Sequence, residues 1–271
     1  MSGKGEIVLH KPSDPIAVFD SGMGGISVLR ALRRLLPQEH FLYYGDSANA
    51  PYGSRETNEI RALSIAAYNH LAQYHPKATV IACNTATAAA AQVLRREHPD
   101  EIIVGIEPAL LPAVRQFPRG NIVVMATEAT LRERKFAALM EKCKGECRIV
   151  PLPCPELVEF VERGEIDSAG LYDYLRKQLQ STHLETMDAI VLGCTHFPFV
   201  RAALAQVAPN TVLLDGGEGT AMHTRELLHQ ARLLREKGTG NVLLMNSCQN
   251  AGTMARMHWL LEEKSFDTDG N

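Results

Sequence analysis

One feature constrains this chain most: short β-rich runs alternate with longer stretches of helical period from end to end, the sequence pattern of a doubly wound parallel sheet. Ile16 to Phe19 reads as a first strand and ends in Asp20-Ser21-Gly22-Met23-Gly24-Gly25. Ile26, Leu29, Leu32, Leu35 and Leu36 then give a helical stripe that Pro37 stops. Phe41 to Gly45 reads as strand two, 46–54 as a loop holding Pro51-Tyr52-Gly53, and Thr57 to Tyr74 as a helix. Strand three, Ala78 to Ala82, opens into Cys83-Asn84-Thr85 and an alanine-rich helix to about His98. Ile102 to Ile106 gives a fourth strand, broken at Glu107-Pro108.

The pattern then starts again. Ile122 to Ala126 is a strand ending in Thr127-Glu128-Ala129-Thr130, and Ala189 to Leu192 is one ending in Gly193-Cys194-Thr195-His196. Cys194 follows Cys83 by 111 residues and Thr127 follows Ser21 by 106, so a polar strand end and then a cysteine-bearing one occur twice in the same order. Spacing alone leaves this repeat open against coincidence, because any two α/β units resemble each other this far. Strands near 212–214 and 242–246 and helices near 220–236 and 250–263 complete the count. No low-complexity linker divides the halves, which puts any boundary in tight crossovers near Pro108 and Gly216.

A chain of 271 residues is long enough for two α/β domains that each bury a core. Its 28 Lys and Arg against 31 Asp and Glu leave a net charge of −3, without the basic footprint of a nucleic-acid partner. The opening segment, MSGKGEIVLHKPSDP, lacks the apolar stretch of a secretory signal. The most apolar run, Ala78 to Leu94, is interrupted by Asn84, several threonines and Gln92 and is too polar to span a membrane. The expected setting is the cytoplasm, with six reduced cysteines rather than a disulfide framework.

In open parallel sheets, ligands bind beyond the carboxyl ends of the strands. The turn after strand one offers backbone N–H groups at a helix start and a carboxylate, which suits an anionic ligand, although a glycine turn made for close packing accounts for it equally. Its glycine spacing is not that of a dinucleotide site, and no P-loop occurs in the chain. Cys83 falls at a helix N-terminus, where the dipole is expected to lower a thiol pKa from its reference of about 8.5. Cys194 holds the equivalent place with an imidazole two residues on. One buried cysteine is usually a small apolar filler. Two at matching strand ends, each followed by hydroxyl or amide donors, point to chemistry. Cys143, Cys147 and Cys154 lack paired CxxC arms or a nearby histidine, so no metal site is expected, and Cys154 and Cys248 have no recognisable setting. No lysine falls at a strand's carboxyl end, which argues against a pyridoxal Schiff base.

If the halves face each other across a pseudo-twofold axis, Cys83 and Cys194 flank one cleft. A carbon between them can lose a proton to one sulfur and regain it from the other, inverting its configuration without a cofactor. Each thiol needs help to ionise near neutral pH, and Asp20 beside the first and His196 beside the second are the available partners. Ser21, Asn84, Thr85, Thr127 and Thr195 supply neutral groups for a carboxylate and an ammonium.

Asp20-Ser-Gly-Met-Gly-Gly, Tyr44-Gly-Asp-Ser with Pro51-Tyr52-Gly53, Ala82-Cys83-Asn84-Thr85-Ala86-Thr87-Ala88 and Gly193-Cys194-Thr195-His196-Phe197-Pro198 together resemble the glutamate racemases of the cofactor-independent aspartate/glutamate racemase superfamily. The likeness runs in order from about residue 15 to 216. It implies two doubly wound α/β domains, 1–107 with 217–271 and then 108–216, and an active site between them. It implies Cys83 and Cys194 as the two bases, assisted by Asp20 and His196, with Glu162 near the second thiol. Substrate contacts carry over to Asp20, Ser21, Tyr52, Gly53, Asn84, Thr85, Thr195 and His196. The implied activity is interconversion of L- and D-glutamate without cofactor or metal, feeding peptidoglycan synthesis. A homodimer and a cell-wall-precursor activator are further implications, with no nucleic-acid or membrane partner. Glu159 stands where proline is common in the family, Phe136 where tyrosine is frequent, and no family motif is legible from Glu218 onward.

Three alternatives stay open. An aspartate or hydantoin racemase would share the thiol pair. A Cys-His hydrolase would use Cys194 and His196, a poor placement two residues apart, and would leave Cys83 idle. A binding protein, as in relatives associated with DNA gyrase, would not require both thiols.

Overall fold

Nine parallel strands are present among the described residues: β1 (Ile16–Asp20), β2 (Phe41–Gly45), β3 (Ala78–Ile81), β4 (Ile103–Gly105), β5 (Asn121–Ala126), β6 (Arg148–Pro153), β7 (Ala189–Leu192), β8 (Val212–Asp215) and β9 (Val242–Asn246). The structure is a computed structural model and describes residues 10–267 apart from 133, 144, 184 and 185. Residues 1–9, the start of the lead read as too polar for a secretory signal, lie outside the described residues. The helices are α1 (Ile26–Leu35), α2 (Thr57–Ala72), α3 (Asn84–Glu97), α4 (Leu110–Gln116), α5 (Glu128–Arg132), α6 (Arg134–Cys143), α7 (Glu156–Arg163), α8 (Ala169–Gln180), α9 (Arg201–Val207), α10 (Gly217–Gln230) and α11 (Ala251–Glu262).

The strands form two sheets, ordered β4-β3-β1-β2-β9 and β6-β5-β7-β8. Read from the other edge, the second sheet runs β8-β7-β5-β6. Each sheet therefore places its own first four strands in the order fourth, third, first, second. That identity resolves the repeat: β1 corresponds to β5 and β3 to β7, so Cys83 and Cys194 follow equivalent strands. Ligand sites belong where the strand order reverses, between β1 and β3 in one sheet and between β5 and β7 in the other. The central strands β1, β3 and β7 are buried along their whole length, as parallel strands covered by helices on both faces must be.

Some boundaries differ from expectation. The helix expected over 57–74 ends at Ala72, with His75 at φ 49°, and the one expected to 236 ends at Gln230, with Arg232 at φ 58°. A left-handed residue terminates the helical path in both cases. The 46–54 loop holds two short 3-10 turns, Ser47–Asn49 and Tyr52–Ser54, on either side of a cis Ala50-Pro51 bond. Strand β6 was not legible in Arg148-Ile-Val-Pro-Leu-Pro153 because two prolines interrupt it. It is an edge strand, where proline's missing donor is tolerated.

A single apolar cluster runs from the first sheet into the second, including Val18, Val80 and Val104 on one side and Val123, Ile190 and Leu192 on the other. Each such side chain contributes about 1.5–3 kcal/mol when fully buried. The chain crosses between sheets at Glu107-Pro108 and returns at Asp215-Gly216. These crossings touch, since a Cβ on Gly216 would lie 2.3 Å from the Glu107 carbonyl oxygen. No helix among the described residues is long and apolar enough to cross a membrane.

Candidate active site

The loops after β1, β3, β5 and β7 converge where the two sheets meet. Cys83 ends the β3 segment and caps α3: the Ala86 N–H donates to its Sγ at 3.4 Å, and the thiol donates to Ser21 Oγ at 3.5 Å. Cys194 follows β7, and its Sγ lies 3.7 Å from His196 Nδ1. Both sulfurs are buried and face one cavity of about 30 Å³. That is room for one or two water molecules, far too little for an amino acid.

The other nominated residues assemble around the thiols. Ser21, Tyr52, Gly53, Asn84, Thr85, Thr127, Glu162, Thr195 and His196 all line the cavity. Asn84 Oδ1 is buried without a hydrogen-bond partner. Thr130 Oγ1 links Thr85 Oγ1 at 3.4 Å to Thr127 Oγ1 at 3.1 Å, joining hydroxyls from both sheets. The Tyr52 hydroxyl is committed to Asp46 Oδ2 at 2.7 Å, so this residue presents its ring and backbone to the cavity rather than a free donor.

Asp20 departs from expectation. It lies behind the wall, fully buried, and makes no hydrogen bond to Cys83. Its Oδ1 accepts from the Gly22 N–H at 2.8 Å and its Oδ2 from Thr195 Oγ1 at 3.0 Å, so it ties the first loop to the second. Ser27 Oγ adds a second tie, donating to the Thr195 carbonyl at 2.8 Å. Glu162 Oε1 makes a third: it takes His196 Nε2 at 2.7 Å and the Met23 N–H at 3.1 Å. The glycines of the first loop make room for these contacts. A Cβ on Gly24 would lie 2.3 Å from His196 Nδ1 and one on Gly22 would lie 2.7 Å from Glu162 Oε1. The close-packing reading of that turn therefore prevails over an anion cradle.

The two thiols have opposite electrostatic settings. Burial pushes the Cys83 thiol up to about 12, the Asp20 charge adds to this, and the hydrogen bonds with Ser21 and the Ala86 N–H only partly offset it. The lowering expected from the helix N-terminus is thus overridden by desolvation. For His196, burial opposes the charge, but the contacts with Cys194 and Glu162 hold its pKa well above the ordinary imidazole value. Burial likewise pushes Glu162 up, yet His196, the Met23 N–H and Arg256 together hold it below the usual carboxylate range. His196 and Glu162 therefore form an imidazolium–carboxylate pair next to Cys194, whereas Cys83 has neutral donors and a carboxylate behind it.

Sequence reasoning missed Thr130 and Val158, both on the cavity wall. Outside them lies a wider vestibule of about 720 Å³, which shares Pro51, Gly53, Thr127, Val158 and Glu162 with the inner cavity. Cys143, Cys147 and Cys154 are buried elsewhere, with the Cys147 thiol donating to the Phe117 carbonyl at 3.1 Å, and Cys248 is half-buried. Among the described residues, no three His, Cys, Asp or Glu side chains converge as metal ligands.

Matched thiols at the junction of two like-ordered parallel sheets define a class. Residues 23–227 match the family described as Asp/Glu/Hydantoin racemase, and the chain belongs to it. It is accordingly an amino-acid racemase, an isomerase. A glutamate racemase of Clostridium novyi is 46% identical over 238 residues, covering 87% of this chain and 92% of that one. The glutamate racemase of Escherichia coli, solved with L-glutamate and the activator UDP-MurNAc-ala, is 30% identical with a TM-score of 0.79, covering 90% of this chain and 92% of that one. A Francisella tularensis glutamate racemase solved with D-glutamate has a TM-score of 0.81 at 24% identity, covering 93% of this chain and 94% of that one, and is similar in fold.

Proposed function

We propose that the protein interconverts L- and D-glutamate without a cofactor, using Cys83 and Cys194 as opposed acid and base. The observation that carries this reading is the pair of thiols at equivalent strand ends, facing one cavity from opposite sheets. Glutamate as substrate is supported by the relatives' activity.

In one half-reaction Cys194 is the base, with His196 Nδ1 3.7 Å from its sulfur, and Cys83, whose thiol is kept protonated by burial and the Asp20 charge, is the acid. The Cα–H bond of one enantiomer breaks, its proton forms S–H on Cys194, and the electron pair delocalises into the α-carboxyl group. The Cys83 S–H then breaks and delivers its proton to the opposite face of the planar carbon, leaving a Cys83 thiolate. That state is the base for the other enantiomer, so the two half-reactions mirror each other. The unpartnered Asn84 Oδ1 and the oxygen of the Thr195 hydroxyl, whose proton is committed to Asp20, accept from the substrate ammonium, and the hydroxyls of Ser21, Thr85 and Thr127 donate to its carboxylates.

The small cavity requires the halves to part for substrate to enter. The sheet membership and the touching crossovers support two domains, 1–107 with 217–271 and 108–216. The same reading places the product D-glutamate in peptidoglycan synthesis in the cytoplasm and makes the enzyme a homodimer open to activation by a cell-wall precursor. A Cys-His hydrolase built on Cys194 and His196 would leave Cys83, on the opposite side of the same cavity, without a role.

Purified protein without added cofactor or metal should racemise either enantiomer of glutamate and exchange the α-hydrogen with deuterated solvent, followed by polarimetry and proton NMR. Neither racemisation nor exchange, with and without a UDP-MurNAc-peptide, would overturn the proposal.

A further inference from the structure

The C-terminal helix α11 has no motif that the proposed function uses, yet it reaches the acid–base site through one side chain. We propose that Arg256 is a positioning residue: from α11 it fixes Glu162, which in turn holds His196 against Cys194. The Arg256 guanidinium donates through Nη1 to the main-chain carbonyl of Glu162. Its Nε lies 3.7 Å from where a Cβ on Gly164 would stand, so the head rests on the C-terminal turn of α7. The last carbonyls of a helix lack intrahelical partners and carry the negative end of the dipole, which a guanidinium matches in both donors and charge.

Glu162 is thereby gripped at both ends. Its carbonyl is held from α11, and its carboxylate is held by His196 Nε2 and the Met23 N–H. The His196 ring, fixed at Nε2, presents Nδ1 to Cys194. The Arg256 charge also helps to keep Glu162 ionised. The other groups that act on this pair are Asp20 behind the first loop, Tyr43 on β2, and Cys194 itself. Glu159 and Arg163 on α7 are exposed and paired with each other. Arg256 is the cation that faces Glu162 from α11, and it is only half-buried, so it can be replaced without opening the core.

The inference rests on the reading of Cys194 as an acid–base group, and its test separates the two. Loss of the Arg256 charge by itself raises the pKa of both Glu162 and His196, whereas release of the grip on Glu162 loosens its hydrogen bond to His196 Nε2 and lowers the His196 pKa, so positioning is read as a His196 midpoint that falls and is contradicted by one that rises. The acid limb of kcat then moves to higher pH and the alkaline limb to lower pH. Enantiomers are equal in free energy, so kcat/KM stays identical in the two directions in any variant, and kcat must be read in each. In the full-length protein, Arg256→Met should lower kcat roughly tenfold with little change in KM, narrow the pH profile, and lower the His196 titration midpoint seen by nitrogen-15 NMR. Arg256→Lys should restore most of each effect, and Arg256→Gln should behave as the methionine variant does. A His196 midpoint and pH profile unchanged in both neutral variants would overturn the inference, whatever their melting temperatures. Cys194→Ala is the control: activity surviving it sinks the two-thiol reading, while the His196 midpoint still reports whether Arg256 acts on the pair.

Discussion

At the scale of single residues, the site is set by desolvation working against pairing. Asp20 is the sharpest case, because burial raises its carboxyl pKa and the His196 charge and two hydrogen bonds only partly offset this. A carboxylate with a raised folded-state pKa favours the folded state most below its ordinary range, and that advantage is lost as pH rises through the folded value. Asp20→Asn removes this dependence. The melting temperature of Asp20→Asn minus that of the parent should therefore grow from pH 4 to pH 8, measured by calorimetry, while kcat falls because the tie to Thr195 is altered. A difference that shrinks with pH would contradict the assignment. Cys83, Cys194 and His196 were legible in the sequence because strand ends announce themselves locally. The upward shift of Cys83 was not, since it comes from burial in the folded core and from the Asp20 charge, neither of which a local pattern records. Glu162 came from resemblance alone. Thr130 and Arg256 depend on pairings across the chain that no local pattern records.

At the scale of elements, the central strands were legible because uninterrupted apolar runs bounded by polar turns have one reading in an α/β chain. The edges were less so. Strand β6 carries Pro151 and Pro153, and its pairing with β5 shows only in the register, where Val124 faces Pro151 and Ala126 faces Pro153. Helix α11 was expected from its period, but not its reach to the site. Its start is fixed by Asn250, whose Oδ1 accepts from the Thr253 N–H at 2.8 Å. Asn250→Ala should cost about 1 kcal/mol, read as a lower denaturation midpoint with unchanged slope. A loss within error would mean that α11 is held by packing of Met257, Leu260 and Leu261 alone.

At the scale of the whole molecule, two like-ordered sheets with touching crossovers give one thiol to each side of a shared cavity. The sequence repeat suggested this arrangement, and strand order decided it, because order depends on which strands pair and not on how far apart they lie. Among the ties between the halves, those through Asp20, Ser27 and Glu162 run from the first loop and the start of α1 to the second thiol's loop and to α7. The most direct test offers D- and L-glutamate separately to Cys83→Ser and Cys194→Ser in deuterated water and follows the α-proton by NMR. Each variant should lose racemisation by a factor on the order of 10²–10⁴, and any residual exchange should favour opposite enantiomers in the two variants. Racemisation at the parent rate in either variant would contradict it.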